Sequence, residues 1–455
     1  MKRVLSLAVG FVILGTACGR AETPQEDGSS GVAIRGVTVL SPVDGTQSSG
    51  QTVLIDDGRI VEVRPDADAD LAADAAIVEA DGLFLMPGLW DFHAHLAMAD
   101  LNAAPLMVTQ GVTGARDLGA IFEEIDALRD RILAEEVLGP RIVRVGPTLN
   151  GAPNGPHHRV IDTPEAARAA VTDLEQAGAD LLKTHNATER EPYFALLEAA
   201  SEAGLDVAGH VPTGVEPIEA CEAGQASIDH IVTIFEGTYM AGFASEMEAF
   251  QGMEAWLETE APVLVECFAR QGTLFVPTLR TYEYRAHRAA LYDDPPEGWD
   301  YLTAESRASF RETNVPAATD RNPLVIRLRE SLVDVGKVLV GLLYEAGAPI
   351  GTGTDFAGPG VVPGFGIHRE LELLVEGGMP EHAAIWASAR GPGERAGADP
   401  LTGRIEAGAP ADLVLLRSNP FERIDAVSEI EAVVLRGRIL DRGELDRILA
   451  ELAAR

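Results

Sequence analysis

Positive charge is what this sequence has least of. Its 455 residues carry 36 Lys and Arg against 71 Asp and Glu, a formal net charge of −35. That balance argues against a nucleic-acid partner, because phosphate binding is driven by clustered Lys and Arg. A soluble or salt-adapted acidic surface accounts for it, and bulk charge weakly favours neutral or cationic substrates. Lysine is scarcer still, with only Lys2, Lys183 and Lys337 among the 36 basic residues. Where Arg fills nearly every cationic position, a retained Lys points to chemistry that Arg cannot do. Arg stays protonated, whereas a buried Lys can lose its proton and react. Cysteine is limited to Cys18, Cys221 and Cys267, too few for a disulfide framework in so long a chain. A Cys221–Cys267 bridge is open to an oxidising compartment, and buried free thiols are the expected state. Hydrophobic residues at 46% and charged residues at 24% are ordinary for a globular chain and exclude disordered and fibrous classes for most of it. The length accommodates one large barrel with a smaller domain, or two or three ordinary domains.

Long apolar runs are absent too. The longest near the start, Val4 to Leu14, is about eleven residues, short of the roughly twenty that span a bilayer. Preceded by Lys2 and Arg3 and followed by Leu14-Gly15-Thr16-Ala17-Cys18, it reads as a targeting segment over residues 1–18. It resembles a bacterial lipoprotein signal with Cys18 as the lipidation site, although the leucine stands four residues before the cysteine. Plain secretion is the alternative; either way an exported protein is expected, periplasmic or anchored to the membrane through its N-terminal lipid. Residues 19–31 are small, polar and proline-containing, a flexible tether.

Strand-like runs at 32–34, 37–40, 52–55 and 60–63, separated by turns such as Asp56-Asp57-Gly58, predict a small antiparallel β unit over 32–83. From residue 84 to 398 apolar strands alternate with helical patterns, the mark of a parallel α/β architecture. The expected strands are 83–92, 112–117, 141–146, 180–184, 206–210, 227–231, 273–278 and 349–355, and eight such units favour a closed (β/α)8 barrel of the TIM type. Residues 280–326, rich in aromatics and charge, read as a long excursion, a candidate lid. Residues 399–455 return to β character with a terminal helix, so a small β-sandwich domain is expected from both chain ends.

The strongest chemical signal is Pro87-Gly88-Leu89-Trp90-Asp91-Phe92-His93-Ala94-His95. Alternate strand residues share a face, so His93 and His95 project together and offer half of a divalent metal site. Their place at a strand end matters, because barrel sites are built at C-terminal strand ends. Lys183, His210, His230 and Asp355 each fall at a later strand end. His157 and His158, in the loop after the third strand, and His185, two residues past Lys183, are candidates for substrate contact or for support of the metals. His287 and His382 read as structural, and the role of His368 is open. Arg116 and Asp117 are expected to form an internal ion pair. The glycine-rich run 357–360 lacks the GxxxxGK[ST] pattern of a nucleotide loop and reads as a substrate loop.

The run from Pro87 to His95, the later ligand set and the closing Gly403-Arg404-Ile405-Glu406-Ala407-Gly408-Ala409-Pro410-Ala411-Asp412-Leu413-Val414 resemble the amidohydrolase superfamily, near its exported imidazolonepropionase-like and Xaa-Pro or Xaa-basic dipeptidase-type branch. The resemblance implies two divalent ions, zinc first, with manganese, iron or cobalt as alternatives. His93, His95 and Asp355 would hold the more buried ion, His210 and His230 the more exposed one, and Lys183 would bridge them as a carbamate. It implies hydrolysis of an amide C–N bond in a dipeptide or N-acyl amino acid by a metal-bridging hydroxide, with Asp355 as the proton carrier. Lactonase or phosphotriesterase activity, or a binding lipoprotein without catalysis, are the competing readings. Oligomeric state is not legible.

Overall fold

The computed structural model describes residues 31–68, 75–235, 246–356, 360–391 and 398–455. The targeting segment with Cys18, nearly all of the tether and residues 357–359 of the glycine-rich loop lie outside them. No helix among the described residues is long and apolar enough to cross a membrane.

The chain begins with β1 (Val32–Ser41), β2 (Thr46–Asp56) and β3 (Arg59–Pro65), then β4 (Ala76–Glu79) and β5 (Phe84–Pro87). Asp57 and Gly58, at φ 46° and 69°, supply the two positive-φ positions that a two-residue hairpin loop requires between β2 and β3. β1 runs antiparallel to β2 but parallel to β4 and β5, so the unit is mixed rather than antiparallel.

Gly88 divides the expected first barrel strand. β5 before it belongs to the end sheet, and β6 (Leu89–Ala94) after it starts the inner strands. A Cβ at Gly88 would lie 2.1 Å from Thr113 Oγ1, so only glycine lets the chain cross there. The inner strands are β6, β7 (Val112–Asp117), β8 (Arg141–Arg144), β9 (Thr148–Asn150), β10 (His158–Val160), β11 (Leu182–Thr184), β12 (Val207–Gly209), β13 (Ser227–Asp229) and β14 (Leu274–Val276). They form three groups, β6-β7-β8, β10-β9-β11-β12 and β13-β14, and every pairing in them is parallel. Backbone bonds bridge the groups, from Asp180 N–H to the Arg144 carbonyl at 3.0 Å and from Ala226 N–H to the Val207 carbonyl at 3.0 Å. Beyond β14, Gly351 N–H donates to Phe275 and Phe92 N–H to Thr352, at 2.9 and 2.8 Å, so the path returns to β6. The eighth expected strand is present only as bridges at Ile350 and Phe356. Trp90, Phe92, Leu118, Val145, Leu181 and Val276 form a buried cluster contributed by these strands and the residues that flank them.

Helices cover the outside for reasons visible in their sequences. In Pro164–Gln176 the Thr163 side chain accepts from Ala166 N–H at 3.1 Å, and Ala167, Ala170, Val171 and Leu174 make the buried stripe. The 280–326 excursion is helical, with Leu279–Ala286, Arg288–Asp293 and Ala304–Thr313 leading into the long helix Pro323–Glu345. Cys221 and Cys267, expected as free thiols, are joined in a disulfide between the helices Pro217–Glu222 and Ala261–Gln271. The two helices pack with buried cysteines facing each other and Cα atoms 6.4 Å apart, within bridging reach.

The chain closes with β15 (Leu413–Leu416), β16 (Ile430–Leu435), β17 (Arg438–Asp441) and the helix Arg442–Ala453. β15 pairs antiparallel with β5, so both chain ends build one sheet, ordered β17-β16-β15-β5-β1-β2-β3 with β4 on β1. Its eight strands are hydrogen-bonded in a single sheet, whereas a sandwich has two.

Candidate functional site

A cavity of about 340 Å³ opens where the inner strands end, and His93, His95, Lys183, His210, His230 and Asp355 all line it. His157, His158 and His185 line it as well, so seven of the chain's ten histidines meet there. The placement follows from strand geometry. His93 lies in β6 and His95 one residue past its end; Lys183 lies in β11; His210 and His230 directly follow β12 and β13. His230 (φ 71°) and Asp355 (φ 49°) sit in the left-handed region, which is strained for residues with a Cβ. Their N–H groups are pinned to the carbonyls of Val276 and His93, at 2.8 and 2.7 Å.

One ligating atom from each of His93, His230 and Asp355 falls within 4.8 Å of the others, a grouping able to hold a metal ion. Asp355 Oδ1 is 3.3 Å from His95 Nε2 and 3.7 Å from His93 Nε2, and Lys183 Nζ is 3.1 Å from His93 Nε2. Burial and the neighbouring Lys183 hold the His93 and His210 imidazoles neutral, well below their ordinary range. Burial takes His230 and His185 down to about 4. Burial also lowers the Lys183 amine to about 8, partly opposed by Asp229 and Asp355. Burial alone would raise the Asp355 carboxyl, but His230, His95 and His93 outweigh it and keep the group ionised. Neutral imidazoles beside a carboxylate are the protonation states a divalent cation needs. Among the described residues the buried Nδ1 atoms of His95, His185 and His210 have no hydrogen-bond partner, so the donor set fits a cation that these protein atoms do not replace.

Behind these groups stands a residue that the sequence reading missed. Asp229 is fully buried and lies 2.9 Å from His93 Nδ1, fixing the tautomer that leaves Nε2 toward the cavity. Arg116 reaches it at 2.9 and 3.1 Å, and the Ser227 hydroxyl donates to it. Burial raises its carboxyl, and Arg116 with His93 outweighs that and holds it far below the carboxylate range. The expected Arg116–Asp117 pair is therefore wrong. Consecutive residues of β7 point to opposite faces, and Asp117 instead accepts from Ala97 N–H at 3.2 Å. An acid inside the buried strand Ser227-Ile228-Asp229 was the available signal. Asp91 is a second missed support, accepting from the N–H groups of His93 and Thr354 and from the Thr354 hydroxyl.

The remaining histidines lie elsewhere. His368 bonds the Gln110 carbonyl at 2.9 Å inside the protein. His287 faces Glu330, and His382 packs near Phe421.

Comparison with known families decides the relationship. The model of the amidohydrolase family matches residues 84–440. The chain belongs to the amidohydrolase family. Among solved amidohydrolase-like structures, a bottromycin amidohydrolase superposes with a TM-score of 0.73 at 22% identity, covering 94% of this chain and 91% of that one. A putative prolidase from Bifidobacterium longum gives 0.66 at 25% identity, covering 93% and 99%. A Xaa-Pro dipeptidase with bound methionine gives 0.65 at 21% identity, covering 90% and 100%. An adenine deaminase of Paracoccus denitrificans is 27% identical over 229 residues, 47% of this chain and 38% of that protein. The match thus spans well under half the length of that curated relative.

Proposed function

We propose that this chain is a metal-dependent hydrolase that cleaves an amide C–N bond in a small substrate such as a dipeptide or N-acyl amino acid. The observation that carries this is the convergence of His93, His95, Lys183, His210, His230 and Asp355 on one cavity. The strand path that returns to β6 supports a (β/α)8 barrel over about 84–398, with the end sheet as its companion domain.

His93, His95 and Asp355 would hold one divalent ion, His210 and His230 a second, and a carbamate on Lys183 would join them. Zinc, manganese, iron or cobalt held there supplies Lewis acidity and an acidified water. The chain's own groups do the rest. A neutral amine is needed for carbamate formation, and the burial that lowers Lys183 to about 8 favours it. Asp355, partly exposed to the cavity, takes the proton of the attacking water and returns it to the leaving amine. His157, His158 and His185 line the same cavity, with His185 stacked on His210 at 4.3 Å between ring centroids, and would contact substrate. Asp229 orients His93, and the buried walls limit water.

The test is a panel of dipeptides, N-acyl amino acids, adenine, lactones and phosphotriesters with zinc- or manganese-loaded enzyme. Turnover of amides lost on Asp355→Asn supports the reading, and turnover confined to lactones or phosphotriesters overturns the amide preference. Export is part of the same proposal. The basic-apolar start and the Cys221–Cys267 disulfide support it, since disulfides persist in oxidising compartments. Labelling with a radioactive fatty acid, lost on Cys18→Ala, is the expected result; an unlabelled secreted chain would remove the lipid anchor.

A further inference from the structure

A second cavity of about 340 Å³ adjoins the metal-site cavity, and the two share Arg285 and Asp355 as common wall. Its chemistry is one-sided. Tyr284 is 4% exposed, and among the described residues its buried hydroxyl has no hydrogen-bond partner. The buried Nε of Arg288 has none either. Arg329 is neutralised by Asp320 at 2.8 Å, but among the described residues neither Arg285 nor Arg288 has a carboxylate within ion-pair distance. Arg285 instead lies over the Tyr282 ring, 4.9 Å from its centroid. Among the described lining residues the one carboxylate is Asp355, which is turned to His95 at 3.3 Å. In a chain with 71 acids and 36 bases, unpaired arginines at the edge of the site stand out.

The position of Tyr284 is built in. A Cβ on Gly360 (φ 93°) would lie 1.9 Å from its ring, so the backbone there is pressed against the aromatic face and fixes the hydroxyl. A tyrosine hydroxyl and a guanidinium Nε–H without an acceptor, beside two guanidinium charges, match a group that only accepts and is negative, as a carboxylate is. A third cavity of about 590 Å³, lined by Met98, Trp299, Phe310 and Phe356, meets the metal-site cavity at Met98 and the arginine cavity at Asn314 and Val361.

We infer that Tyr284, Arg285 and Arg288 form a carboxylate-binding subsite, and that the substrate carries a carboxylate on one arm and a bulky apolar group on the other. This rests on the hydrolase reading above and names the residues that would receive the free carboxylate which a dipeptide or N-acyl amino acid carries. It also reverses the preference for neutral or cationic substrates that bulk charge suggested, because the field at the pocket is set by its own arginines.

The test pairs two probes without a scissile amide, 3-phenylpropionate and 3-phenylpropanol, titrated by calorimetry into zinc-loaded wild type, Arg288→Met and Tyr284→Phe. Wild type should bind the carboxylate at least about tenfold more tightly, the scale of a charge-assisted hydrogen bond. Both variants should lose most of that preference with alcohol affinity and zinc content unchanged. Equal binding of the probes by wild type, binding of neither, or full preference retained in both variants overturns the subsite. The amide panel is read separately. A variant-sensitive carboxylate preference without amide turnover sinks the hydrolase reading and keeps the subsite, and amide turnover without the preference does the reverse.

Discussion

Replacing Asp229 with alanine separates two tasks that one carboxylate performs. The side chain is fully buried, as is Arg116, whose guanidinium lies 2.9 Å from it with only 3% of the side chain exposed. Removing the acid leaves a buried cation whose remaining hydrogen-bond partners among the described residues are the Phe92 carbonyl and the Ser227 hydroxyl. Breaking one side of such a pair costs about 3–5 kcal/mol, because the remaining charge stays desolvated. The same carboxylate orients His93, and loss of such a support weakens metal binding about 10–100-fold. The double variant Arg116→Met/Asp229→Leu removes the stranded charge and should recover most of the stability, while metal affinity stays low because His93 still lacks its partner. Urea unfolding of the metal-free protein reads the first effect and competition with a zinc chelator reads the second. A loss below about 1 kcal/mol in Asp229→Ala, against the scale for buried pairs, or normal zinc affinity in the double variant, refutes the reasoning.

Other expectations follow from the same geometry. Asp355→Asn should keep most of its metal and lose roughly 10²–10⁴-fold in turnover, the span for a general acid–base group; unchanged turnover removes it from that role. His368 is 7% exposed, and burial lowers its imidazole to about 4. Its folded value lies below the unfolded one, so the unfolded chain binds the extra proton between about 6.5 and 4, and stability is lost as the pH is lowered through that window. The loss is about 3 kcal/mol by linkage, and His368→Gln should flatten urea midpoints there; an unaltered pH profile contradicts the assignment. The Cys221–Cys267 bridge closes a sequence separation of 46 residues, for which chain entropy gives about 4 kcal/mol. Thiol titration of the denatured, unreduced protein should find neither cysteine, and two reactive thiols would refute the bridge.

The gathering of these side chains was legible because each sits at a strand end, where a change from apolar run to His, Lys or Asp is visible in one dimension. His93, His95, Lys183, His210, His230 and Asp355 were all found that way, and one cavity gathers them. Lys183 stood out by rarity; Lys337, equally rare, merely pairs with Asp334 and Glu376 on the surface. What failed was pairing between distant segments. Arg116 was given its chain neighbour Asp117, although its partner lies 113 residues away. The disulfide and the donor cluster of Tyr284 and Arg288 likewise depend on how helices pack, which local pattern does not encode. The end sheet was foreseen as antiparallel because adjacent short strands suggest hairpins; the parallel β1–β4 and β1–β5 pairs arise from connections that cross over.

Metal analysis of the mature protein by plasma mass spectrometry, beside a Lys183→Ala variant, reads the Lys183-bridged pair of ions itself. About two divalent ions per chain are expected in wild type, the number of a bridged site, with a sharp fall in the variant. One ion or none in wild type, not restored by zinc or manganese with bicarbonate, would contradict the bridged site.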